Sequence, residues 1–90
     1  LSGVQVDNVT DTESPLRARY LRGLSNQHQR FTTDEIAVRE GLSFCLDLKA
    51  NRTQAQREAY DANADEPRYS TSPRRVAVAA SALTYFCPSS

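Results

Sequence analysis

Apolar residues recur along most of this chain at helical spacing, and polar runs interrupt them. Ser14 and Pro15 read as an N-cap followed by proline at the first helical position, and Leu16, Tyr20 and Leu24 return every fourth residue, predicting a helix over 15–24. The unbroken polar run Ser25 to Arg30 predicts a solvent-facing loop. Thr32 and Glu35 stand at capping-box spacing, with Asp34 in the dipole-favoured first turn, so a second helix is predicted from there to about Lys49. At helical periodicity Ala37, Val38, Gly41, Leu42, Phe44, Cys45, Leu46 and Leu48 fill an arc about 200 degrees wide. Glu40, Ser43 and Asp47 fall opposite. So broad an arc predicts contact with more than one neighbour and makes this the central helix of a bundle, with Gly41 admitting a close approach.

Thr53 and Gln56 predict another capping box, opening a short helix through Ala64 whose apolar residues are Ala55, Ala59, Tyr60 and Ala62. Asp65, Glu66 and Pro67 break it, and Arg68 to Thr71 reads as a loop. Ser72 and Pro73 then start a fourth helix. Val76, Ala79, Ala80, Leu83, Phe86 and Cys87 share one face, while Val78, Ala82 and Tyr85 form a second, weaker stripe. The fold class is therefore all-α, a small bundle of three to four helices over residues 14–90. Residues 1–13, with isolated valines among Asp, Asn and Thr, predict a flexible tail or tether.

Cys45 and Cys87 each lie in the middle of an apolar stripe, and they read as one disulfide; a pair of buried free thiols is the alternative. Antiparallel packing of the second and fourth helices would set the sulfurs face to face. At 90 residues and 39% hydrophobic content the core is small, and closing the loop between the cysteines would add about 4 kcal/mol in the chain-entropy model. A bridge implies an oxidising compartment, secreted, periplasmic or cell-envelope. The chain starts without Met and has no apolar run of about 18 residues, which reads as a processed mature domain with no transmembrane segment.

Net charge is zero, which removes the general electrostatic case for nucleic acid. Ten of the eleven basic residues are Arg, a bias that fits a GC-rich genome better than a phosphate-binding surface. His28 is the sole histidine, in a polar run, and nothing links it to Ser43 or Asp47 as a nucleophile triad. Cys and His are not spaced as metal ligands, and Gly3, Gly23 and Gly41 are too isolated to cradle a phosphate. Asp65 and Glu66 read as a solvated turn. Asn8 with Thr10 and Asn51 with Thr53 match the glycan-acceptor pattern by chance. The expectation is a protein with no catalytic residues, no metal and no cofactor.

Leu16 with Tyr20 and Leu21, Gly41 with Cys45 and Leu48, and the terminal Ala79, Ala80, Tyr85, Phe86, Cys87, Pro88 together resemble domain-of-unknown-function family 732, small exported mycobacterial proteins, over residues 14–88. The polar run from Ser25 to Arg30 and the Arg and Gln content of the third helix depart from that family's Ala- and Gly-rich stretches. The resemblance implies an all-helical, disulfide-bridged, exported actinobacterial domain and carries no activity with it.

Three readings follow. The first is an interaction module or accessory subunit of an envelope or membrane-associated complex, meeting an acidic partner or lipid headgroup through Arg17, Arg19, Arg22, Arg74 and Arg75. The second is a carrier of a small apolar or planar ligand, lipid or haem, with Tyr60, Tyr69 and Tyr85 as pocket or axial groups. The third, a hydrolase, rests only on Ser43 or His28.

Overall fold

A computed structural model describes residues 11 and 13–88. The tail expected over 1–13 and the Asn8 motif therefore lie outside the described residues, apart from Asp11 and Glu13. Those two belong to the turn into the first helix: Asp11 accepts from the Ser14 amide on its carbonyl and from the Glu13 amide on its carboxylate.

Four helices follow, α1 (Pro15–Asn26), α2 (Asp34–Lys49), α3 (Thr53–Asn63) and α4 (Pro73–Tyr85). The Ser14 hydroxyl caps α1 and the Ser72 hydroxyl caps α4, each accepting from the amide three residues on, with proline next in line as expected. The other two starts are displaced. Thr33, not Thr32, caps α2 by accepting from Ile36 N at 3.2 Å, and the Glu35 carboxylate reaches Arg17 instead of closing a capping box. In α3, Thr53 is the first helical residue, and Arg52 precedes it without a side-chain cap.

For α3 the reason lies in how α2 ends. Asn51 adopts φ 60°, its amide bonds to Leu48 O, and Arg52 N bonds to Asp47 O, a Schellman closure that turns the chain straight into α3. The end of α1 is built alike, with His28 at φ 61°, His28 N on Ser25 O and Gln29 N on Leu24 O. Ser25 and Asn26 are therefore helical, not loop. Their exposed polar side chains do not oppose the helix, and a left-handed residue rather than composition stops it.

α4, not α2, is the central helix. It packs closely on α1, α2 and α3; α2 also meets more than one neighbour, as expected, but touches α1 and α3 more lightly, and α1 and α3 do not approach each other. Ala77, Val78, Ala79, Ser81 and Ala82 are all buried, so both stripes reach the core: Val78 and Ala82 of the one read as weaker are as deep as Ala79 of the other, while Tyr85 and Val76, Ala80 and Leu83 are half-buried. Small side chains let neighbours close in on several sides, so burial here follows backbone proximity more than side-chain size. On α2, by contrast, Leu46 is 68% exposed and Ile36 38%.

α2 and α4 are not antiparallel. Glu40 pairs with Arg75 and Cys45 bonds to Cys87, so both contacts advance together along the two helices, which run in the same general sense and cross. The disulfide nevertheless forms, with Cα atoms 6.1 Å apart, because Cys87 lies just beyond α4, where its amide bonds to Ala82 O.

Candidate functional site

Beside the disulfide, the core is a stack built on Tyr20. Its ring, fully buried, lies on Phe86 with centroids 4.2 Å apart and an interplanar angle of 18°. Its hydroxyl donates to Ala37 O at 2.6 Å, and its edge fills the space where Gly41 has no side chain; a Cβ there would sit 2.7 Å from ring atoms. The close approach expected at Gly41 is thus made by α1. Burial, with Glu40 nearby, pushes the Tyr20 phenol well above its ordinary pKa, against the opposing Arg75 charge and the Gly41 backbone. It remains a hydrogen-bond donor.

The opposite end is polar inside. Glu58 is 2% exposed and receives Arg75 Nε and Nη2, each at 3.1 Å, and Gln54 Nε2 at 3.1 Å. Arg75 Nη1 also donates to Glu40, so one guanidinium joins α2, α3 and α4. The Glu58 hydrogen bond is the largest influence on Arg75 and raises its pKa, with both carboxylates outweighing desolvation. Asp61, also buried, organises the α3–α4 loop. It accepts from the Arg68, Tyr69 and Thr71 amides at 2.8, 3.1 and 3.2 Å and from the Thr71 hydroxyl at 2.8 Å. Burial would raise its pKa, but these donors together outweigh burial and hold the carboxyl below its ordinary value. Ser70 takes φ 55° within this loop.

Sequence reasoning missed Glu58 and Asp61. A signal was present: Glu58 falls on the same helical face as Ala55, Ala59 and Ala62, an acid on an otherwise small-residue stripe. Its cation, Arg75, stands in the first turn of a helix that follows a short loop.

Holding that loop shapes a patch on the surface. Tyr60 and Tyr69 meet edge to face with centroids 5.6 Å apart. Arg57 lies over Tyr69 at 5.3 Å and Arg68 over Tyr60 at 5.7 Å. All four are exposed, the tyrosines by 46% and 41%. The third tyrosine considered as a ligand group is elsewhere: Tyr85 ends α4, about 18 Å along the helix from its start, in the seam with α1 beside Gly23.

The arginines expected to share a partner surface are likewise divided. Arg17 is buried and bonds to Glu35, while Arg75 is the internal clasp. Arg74 lies over the Phe31 ring at 4.5 Å and donates to Arg30 O. Arg19 and Arg22 are exposed on α1. Ser43 is exposed on α2, and His28 is the left-handed residue closing α1. Among the described residues no three His, Cys, Asp or Glu side chains gather where they could hold a metal ion. No helix among them is long and apolar enough to cross a membrane.

Neither the curated proteins nor the solved structures contain a match to this chain. The family described as Protein of unknown function (DUF732) matches residues 10–89, from the turn before α1 to the residues after Cys87. With that match spanning all four helices and both cysteines, the chain belongs to the DUF732 family.

Proposed function

We propose that this domain is a non-catalytic interaction module of an exported, actinobacterial cell-envelope setting, and that it docks a protein partner through Arg57, Tyr60, Arg68 and Tyr69. The observation that carries the reading is the exposed, mutually braced pair of tyrosines and arginines. Tyr and Arg are the residue types that concentrate binding energy in protein interfaces, and both rings and guanidinia are already held by one another and by the Asp61 loop. Pre-ordering of this kind lowers the entropy lost on docking. Arg19 and Arg22 are exposed on α1, away from this patch, whereas Arg17 and Arg75 serve the fold. The Cys45–Cys87 bond supports an oxidising compartment.

The test is affinity capture from envelope extracts with the oxidised wild-type chain beside a Tyr60→Ser, Tyr69→Ser double variant. A defined partner held by the wild type and lost from a variant of unchanged melting temperature supports the reading. Capture that is equal for both, or a wild type that retains no partner, overturns it.

A further inference from the structure

On the other side of the molecule, a groove of about 260 Å³ between α1 and α2 is lined by Arg17, Glu35, Val38, Arg39 and Leu42. Val38 and Leu42 are the aliphatic part of that lining, and Arg17, Glu35 and Arg39 are the charged part. The Arg17 side chain is 9% exposed, yet among the described residues its guanidinium makes one bond, to Glu35 at 3.3 Å, and that carboxylate is itself 69% exposed. A guanidinium has five N–H donors, so a buried one with a single long contact to a solvated acid is under-compensated. Arg39 is exposed and has no ion pair among the described residues. Arg17 and Glu35 both stand in the first turns of their helices, whose amino ends add positive potential.

Two cations and one anion beside two aliphatic side chains leave one positive charge unanswered. We infer that the groove binds a single-chain amphiphile with a carboxylate head, the head between Arg17 and Arg39 and the tail along Val38 and Leu42. An extended peptide fits less well, because the backbone groups of helices are bonded within them and offer it no ladder. An aliphatic tail needs none. The volume, a little below the usual range of ligand sites, favours one medium-length chain over a diacyl lipid. This site shares no lining residue with the Tyr60–Tyr69 patch, which belongs to α3 and the loop after it.

Methyl NMR of the oxidised chain, titrated with dodecanoate below its micelle concentration, tests the assignment. Saturable shifts at Val38 and Leu42 are expected, weakened about tenfold by Arg39→Gln and tightened several-fold by Glu35→Gln, which frees Arg17. Arg39 is exposed and in no ion pair among the described residues, so Arg39→Gln spares the fold; Glu35→Gln removes the counter-ion of buried Arg17, so its titration is read on a sample whose melting curve shows it folded at the working temperature. Dodecyltrimethylammonium, with the same tail and a cationic head, should leave those methyls unmoved. Unshifted methyls with dodecanoate, equal binding of the cationic amphiphile, or no effect of Glu35→Gln would overturn the inference, whatever the outcome of partner capture.

Discussion

The two ends of α4 are held by opposite means. At its carboxyl end Tyr20, Phe86 and Gly41 fit by shape, and a covalent bond ties Cys87 to α2. At its amino end Arg75 is clasped by Glu58 and Glu40, and Asp61 gathers the preceding loop. The apolar end is weakened by base rather than acid, because above about pH 10 the phenol of an unfolded chain ionises while buried Tyr20 stays neutral, and it does not tolerate added volume. The polar end tolerates small changes of shape but depends on each charge keeping its partner, because a buried ion whose counter-ion is removed loses more than the pair contributes as a whole. Only the polar end also orders a surface loop, and the exposed Tyr60–Tyr69 patch lies there.

The largest expected loss is at the polar end. Glu58→Ala should destabilise by about 4 kcal/mol, read from the urea midpoint. A Glu58→Leu, Arg75→Met pair should recover much of that stability; if it is as unstable as Glu58→Ala, the uncompensated charge is not the cause. Breaking Cys45–Cys87 by reduction should cost about 4 kcal/mol in the chain-entropy model, less if the unfolded chain stays compact. Intact mass must rise by about 2 Da on reduction for the bond to have been present.

Gly41→Ala should come next, at about 2 kcal/mol. The new methyl meets the ring of Tyr20, which Phe86 and the Ala37 bond hold in place. A substitution without effect on thermal unfolding would mean that the stack has slack.

A smaller effect is confined to acid. The Asp61 carboxyl has a lowered pKa in the folded chain, so its contribution is full above the unfolded value of about 4 and fades as pH falls through the folded value, where both states are protonated. Asp61→Asn should flatten the decline in stability below about pH 4. An unchanged acid limb would show that Asp61 is not what titrates. The smallest change should be favourable: His28→Gly relieves a left-handed backbone and should stabilise by about 0.5 to 1 kcal/mol in thermal unfolding.

Helix number, order and two of the four caps were legible in the chain, because Ser-Pro starts and the spacing of Leu16, Tyr20 and Leu24 or of Ala37, Val38, Gly41 and Phe44 are local signals. The family was legible too, from the order of Gly41, Cys45 and the Phe86, Cys87, Pro88 end. Tyr60 and Tyr69 stood out in the sequence only with Tyr85, as groups for a carried ligand, and Arg57 and Arg68 did not stand out, since their place over the rings depends on a loop folded back onto α3. The arginine surface expected over Arg17, Arg19, Arg22, Arg74 and Arg75 divides between interior and exterior for the same reason. Charge in a sequence carries no sign of its burial.

The sequence by itself determined where this protein is helical, that Cys45 and Cys87 could be joined, and that Gly41 would meet a close neighbour, because these follow from periodicity, capping chemistry and missing side-chain volume within one helix. The tertiary structure alone decided that α4 is the centre, that α2 and α4 run in the same sense, and that Glu58 and Asp61 are interior. Those outcomes depend on which small residues let backbones approach and on charges finding partners distant in the chain, and neither is written in any local window.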